Sequence, residues 1–261
     1  RDLRMSRGLG DVYKRQYLDS MEQDKTFLGT EPIGKLLMKL AVPTVIAQLV
    51  NMLYNIIDRV YIGHIPGEGS MALTGVGVCM PLILIIAAFA ALVGSGGSPR
   101  ASIYMGKGEH DTAEKILTGC LSLQIIVSII LTVILLIWNE NLLLMFGASE
   151  NTISYATAYM NIYAIGTIFV QITLGMNTFI TAQGKAITGM MTVLIGAVAN
   201  IILDPMIIFG IGPFPKLGIA GAALATGFGQ CVPIVIYIAA YLKRPKRVAF
   251  RRDCLLYTSD A

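Results

Sequence analysis

Charge is scarce in this sequence. Asp, Glu, Lys and Arg together make up 14% of its 261 residues, against 55% apolar side chains. A soluble domain carries about 25% charged residues, so this chain has too little charge to cover a water-facing surface. The shortage is concentrated in long segments almost free of charge, and one helix needs roughly 20 apolar residues to cross bilayer hydrocarbon. Histidine is scarcer still. The two present, His64 and His110, are expected in or beside loops, which leaves an intramembrane serine hydrolase without its base. Neither HExxH nor GxSxG occurs. The four cysteines, Cys79, Cys120, Cys231 and Cys254, stand singly, with no CxxC or Cys/His spacing, so neither zinc nor a disulfide framework is indicated. Three of them lie in apolar runs, where a thiol is a small core side chain. The glycines of Gly94-Ser-Gly-Gly-Ser-Pro99 are not followed by GxxxxGK(S/T), which excludes a phosphate cradle; they read as a flexible helix exit with close backbone packing.

What is present is a series of six spans, at about 36–63, 72–96, 116–138, 153–182, 187–211 and 218–242. The chain is therefore expected to be an all-α integral membrane protein, a bundle of six transmembrane helices. The links are short, apart from a polar segment at about 97–115, and short links make successive helices antiparallel neighbours. No internal repeat or second domain is visible. Lys and Arg fall mainly on one side: Lys25, Lys35 and Lys39, then Arg100, Lys107 and Lys115, then Lys185, then Lys243, Arg244, Lys246 and Arg247. The other side receives Arg59 and Lys216. By the positive-inside rule both termini are cytoplasmic. The net charge of +4 is then an orientation signal, and nucleic acid is not an expected partner. The ends read differently from the middle. Residues 1–16 are charged and aperiodic, and the tail from Cys254 to Ala261 is equally abrupt; both read as foreign junction sequence, with Met21 as the initiator, although a basic N-terminal arm would also fit 1–16. The division that follows is a non-native or unstructured leader at 1–20, a six-helix lobe at 21–245, and a truncated linker with a foreign tail at 246–261.

Ionisable residues within spans need a reason, because one at mid-membrane costs about 2.5–3.5 kcal/mol on insertion scales. Two carboxylates qualify, Asp58 and Asp204. Gln48, Asn51, Asn55 and Asp58 step by three, four and three and stack on one face of the first span, with Tyr54 and Tyr61 beside them. Asn200 and Asp204 are one turn apart on the fifth. Pro205 removes a backbone donor and frees the carbonyl of Ile201. Carboxylates, an amide oxygen and a free carbonyl are hard oxygen ligands, suited to Na⁺ or, with one acid protonated, to a proton relay; hydrogen-bonded cross-linking of helices is the structural alternative. The fourth span adds Tyr159, Gln171, Thr173 and Asn177. In the sixth, Gly221, Ala225 and Gly229 form a packing face, and Thr226 and Gln230 lie one turn apart beside it.

These residues resemble a known family. LGTEPIGKLLMKLAVPTVIAQLVNMLYNIIDRVYIGH (28–64) is similar to the first helix of multidrug and toxin extrusion (MATE) transporters, nearest the bacterial MepA- and DinF-type branch. GKGEHDTAEKIL, NTFITAQGKAITGMM and NIILDPMIIFG followed by GIAGAALAT extend the likeness over about 28–245. The resemblance implies the N-terminal lobe of a twelve-helix antiporter of the bacterial cytoplasmic membrane. Such a protein exports lipophilic or cationic drugs and xenobiotics in exchange for Na⁺ or H⁺, with no cofactor and no enzymatic activity. It implies cation coupling at Asp58, Asn200, Asp204, Thr226 and Asn177, with Na⁺ held at the first three. Cavity and substrate contacts fall to Tyr159, Asn55, Asn51, Gln48 and Tyr54. Its partners would be the bilayer, small-molecule drugs and a C-terminal six-helix lobe missing from this sequence. Arg100 departs from the family pattern, where an apolar residue is expected. A lipid-linked precursor flippase of the same superfamily is the alternative, and it would want basic residues in its cavity.

Overall fold

The computed structural model describes residues 32–242, so the leader at 1–20 and the tail at 246–261 lie outside the described residues. Within them are six helices: α1 (Ile33–Gly63), α2 (Gly69–Gly106), α3 (His110–Met145), α4 (Ile153–Ala182), α5 (Ala186–Phe209) and α6 (Ile219–Leu242). The first five are each long and apolar enough to cross a membrane. A helix satisfies its own backbone donors and acceptors, the condition that hydrocarbon imposes on any spanning segment. At 38 residues, α2 is about 57 Å long and overshoots the hydrocarbon. Large apolar side chains point outward along the bundle, among them Leu84, Ile130, Ile165 and Ile202, as lipid requires and water forbids.

The helices alternate in direction. Hydrogen bonds tie Gln171 to Ile86 and Ser102 to Ala182, so α4 runs parallel to α2. Thr132 bonds Ala164 and Asn139 bonds Asn161, so α3 runs against α4. α4 is central and packs on α2, α3 and α6, whereas α1 lies at the edge, chiefly on α5 and only lightly on α2. Half of the most apolar window of α4 is buried, against 6% for α1. This register gathers Lys35, Lys39, Lys107 and Lys185 at one end of the bundle, and Arg59 and Lys216 at the other.

Two expectations need correction. The polar segment at 97–115 is no long link: α2 continues to Gly106 and α3 begins at His110. Nor is Gly94–Pro99 an exit from the helix. Its glycines are in contact with neighbours: a Cβ on Gly94 would lie 3.1 Å from Gly175 Cα, and one on Gly97 would run into Cys120 Sγ and Phe179. Close packing, which small residues permit between membrane helices, holds the segment helical despite Pro99. Arg100 then sits exposed on the final turns of α2. The same device joins α5 to α6, where a Cβ on Gly196 would lie 2.8 Å from the Gly229 carbonyl oxygen and one on Gly221 2.8 Å from that of Ile207. α5 ends at Gly210, whose φ of 73° is left-handed backbone that glycine adopts without strain.

Candidate functional site

A cavity of about 520 Å³ opens among α1, α4, α5 and α6. Its wall runs from Leu40 and Ala186, at the lysine-rich end, to Tyr54 and Asn200 deeper in the bundle. The polar face of α1 supplies Thr44, Gln48 and Asn51. From α4 come Thr173, Asn177 and Thr181, and from α6 Thr226 and Gln230. All of these are neutral hydrogen-bonding groups, set among apolar side chains such as Met190 and Val193.

One turn beyond the deepest wall residues lie the two carboxylates. Asp204 is fully buried, Asn200 is 2% exposed and Asp58 7% exposed, so the acidic face of α1 and that of α5 turn inward against each other, away from lipid. Asn200 Nδ2 donates to Asp204 Oδ1 at 3.2 Å, the contact that a four-residue spacing permits. The carboxyl of Asp58 faces that of Asp204 across the α1–α5 seam. Three buried oxygens in this group have no hydrogen-bond donor: Asp58 Oδ1, Asn200 Oδ1 and Asp204 Oδ2. Buried oxygens are costly when unpartnered, and hard oxygens of this kind are acceptors for a small hard cation or a proton. Among the described residues no three His, Cys, Asp or Glu side chains gather to hold a metal ion, and two carboxylates with amide oxygens suit Na⁺ better than zinc. Beyond the pair the bundle closes, with Ile62, Ile207 and Ile208 buried and Tyr61 edge-on to Phe209 at 6.4 Å.

The other expected site residues divide. Gln48, Asn51, Tyr54, Asn177 and Thr226 line the cavity, and Tyr54 also lies against Gln230. Asn177 ties α4 to α5 as well, with Nδ2 donating to the Gly189 carbonyl at 3.2 Å and to Thr192 Oγ1 at 3.4 Å. Asn55 donates to the carbonyl of Asn51 at 2.6 Å and so spends its amide on its own helix. Tyr159 is buried behind the acid pair, near Asp58 and stacked on Tyr163 at 6.0 Å. It shares a face of α4 with Asn177, but 18 residues of helix separate them by about 27 Å. Gln171 turns away from the cavity, its Nε2 donating to the carbonyl of Ile86 at 2.8 Å. Thr44 and Thr181 are wall residues that the sequence reading passes over. Each stands four residues from a residue that it singles out, Gln48 and Asn177, so extending those helical rows by one turn finds both.

Residues 43–206 match the MatE family. Over 212 residues the chain is 31% identical to an FAD transporter of Shewanella oneidensis, covering 81% of this chain and 46% of that protein. It is 26% identical over 231 residues to the multidrug export protein MepA of Staphylococcus haemolyticus, covering 88% and 50%. A solved structure described as an outward-facing conformation of a multidrug resistance MATE family transporter of the MOP superfamily superposes with a TM-score of 0.77 at 25% identity, over 88% of this chain and 49% of that one. The chain thus spans about half the length of the relatives it matches.

Proposed function

The chain belongs to the MatE family, and from that premise we propose that it forms the N-terminal lobe of a secondary multidrug exporter that couples outward transport of lipophilic or cationic compounds to entry of Na⁺ or H⁺. The observation that carries the reading is the trio of donorless buried oxygens on Asp58, Asn200 and Asp204, one turn beyond a drug-sized cavity. Ligand pockets run to about 300–1,000 Å³, and the 520 Å³ here falls in that range before any second lobe adds a wall. Family membership also speaks for transport and against an enzyme.

The coupling step follows from the arrangement. Two facing carboxylates repel while both are ionised. A cation between them, or a proton on one, removes that repulsion and lets α1 settle against α5. α1 is the natural element to respond, because Pro43, Asp58 and Ile62 are its only buried residues and its main support is α5. A ligand shifts a conformational equilibrium only by its differential affinity for the two states. Drug in the cavity and cation at the acids both act on the α1–α5 seam, so each alters the affinity of the other. Lysines gathered at one end of the bundle support a cytoplasmic N-terminus in a bacterial inner membrane.

The relative named as an FAD transporter brings in a second substrate class, as does a lipid-linked precursor flippase. Both substrates carry phosphates. The described wall residues include no Lys, Arg or His, so a diphosphate would meet only neutral donors beside two acids. That favours neutral or cationic compounds.

The test is ligand-linked stability of the purified chain, since a ligand that binds only the folded state adds about 2.7 kcal/mol at one hundred times its Kd. The unfolding midpoint should rise with Na⁺ relative to K⁺, or else vary with pH, and Asp204→Asn should abolish the response. A folded chain indifferent to both Na⁺ and pH would refute the cation site.

A further inference from the structure

At the end of the bundle opposite Lys35, Lys39, Lys107 and Lys185, a groove of about 350 Å³ lies between the last turns of α1 and the start of α2, lined by Ile56, Arg59, Val60, Gly63, His64 and Leu73. It is separate from the acid cavity. Asp58 turns inward, whereas its neighbour Arg59 points outward and is exposed. Arg59 stands four residues before the end of α1, about 6 Å along the axis, at a depth where a charged side chain needs a partner or an outlet to the interface. Among the described residues its one hydrogen bond runs from Nη2 to the thioether of Met80 at 3.0 Å; its charge also acts on the neighbouring Asp58 carboxyl, without a hydrogen bond between them. A guanidinium offers five N–H donors, and a thioether is a weak acceptor, so most of its hydrogen-bonding capacity is unspent. His64 is exposed on the same wall. Its Nδ1–H donates to the Val60 carbonyl at 2.7 Å, so a neutral imidazole has only an acceptor left, at Nε2. Leading away from Arg59 along α1, Val60, Ile56 and Met52 form an exposed apolar row at 51%, 53% and 65%.

We propose that this groove holds an anionic glycerophospholipid, with the phosphodiester on Arg59 and one acyl chain laid along Val60, Ile56 and Met52. The fork of an arginine matches phosphate oxygens in two-point hydrogen bonds. The apolar row next to the charge selects an amphiphile over a free anion.

The experiment is native mass spectrometry of the purified chain after exposure to equimolar phosphatidylglycerol and phosphatidylcholine. Phosphatidylglycerol should be retained in preference to phosphatidylcholine. Arg59→Gln should cut that retention about tenfold, the loss of one charge-assisted pair. Arg59→Lys, which keeps the charge but not the fork, should fall between wild type and Arg59→Gln. Lys216→Gln, at the same end of the bundle, should change nothing. Millimolar inorganic phosphate should not displace the lipid. Three results would each overturn the assignment: no headgroup preference, equal retention in wild type and Arg59→Gln, or displacement by phosphate alone.

Discussion

Replacing Gly196 by alanine should loosen the seam that holds the acid pair, while the same change at Gly227 should not. At Gly196 a methyl would lie 2.8 Å from the Gly229 carbonyl oxygen and 3.3 Å from Pro233 Cγ. The first contact is with backbone, which cannot swing aside, so α5 and α6 must separate. Overpacking of this kind costs about 1–3 kcal/mol, against a gain of about 1 kcal/mol for alanine over glycine in a helix interior. The expected net loss for Gly196→Ala is up to about 2 kcal/mol. At Gly227 nothing lies within 4 Å of the added methyl, so only the propensity gain applies, and the variant should be neutral or more stable by up to about 1 kcal/mol. The two variants should therefore differ in unfolding constant by roughly ten- to a hundredfold, at 1.4 kcal/mol per decade. Titration of a denaturing detergent into mild micelles, followed by circular dichroism, measures both. Because Asn200 is one turn from Gly196, the separation should also weaken cation-linked stabilisation in Gly196→Ala and leave it intact in Gly227→Ala. Equal stability of the two variants would refute the close α5–α6 contact and the placement of the site that depends on it.

Gln124 is fully buried, with neither amide atom hydrogen-bonded, and an unpaired buried polar group costs about 1–3 kcal/mol. Gln124→Leu should therefore raise the unfolding midpoint, and a lowered midpoint would show that the amide has a partner in the folded protein. Asn177→Ala should weaken drug and cation responses only a few-fold, since it removes one neutral wall group and leaves the acids in place. Drug titrations at fixed Na⁺ and pH measure this, and a complete loss would make Asn177 a primary ligand. Removal of Na⁺ by exchange into K⁺ buffer should lower the stability of the wild type, or leave it unchanged with a pH response in its place. Either response should be missing from Asp58→Asn, as melting curves in the two buffers will show.

The helices were legible where hydrophobic periodicity met plain turn signals. The span expected at 153–182 coincides with α4, because Gly147 and Gly184, both at positive φ, stand in the links on either side of it. The end of α2 was not legible. Gly94 to Pro99 carries every local mark of a helix stop, and what overrides it is contact with Gly175, Phe179 and Cys120 on other helices, which local sequence does not report. The acid pair was readable because hydrocarbon makes every buried charge conspicuous and a helix repeats at three and four residues. Depth along a helix was harder to read than face. Tyr159 shares the face of Asn177 and lies behind the acids instead of in the wall, and Asn55 lies on the polar row of α1 yet turns its amide to its own backbone. Gln124, one polar residue in an apolar run, is not singled out by the sequence reading; its burial depends on the notch at Gly175, a contact between α3 and α4.

The central claim is that Asp58 and Asp204 together hold the coupling cation. It is tested most directly by gradient-driven drug efflux from everted membrane vesicles carrying this lobe joined to a second lobe like that of its relatives. Na⁺ and pH gradients are imposed separately, and the Asp58→Asn, Asp204→Asn double variant is compared with wild type at matched protein levels. The amides keep size and hydrogen bonding while removing the charge. The double variant should insert normally and show no efflux under the gradient that drives the wild type. Undiminished efflux in the double variant would contradict the assignment of the coupling site to these two carboxylates.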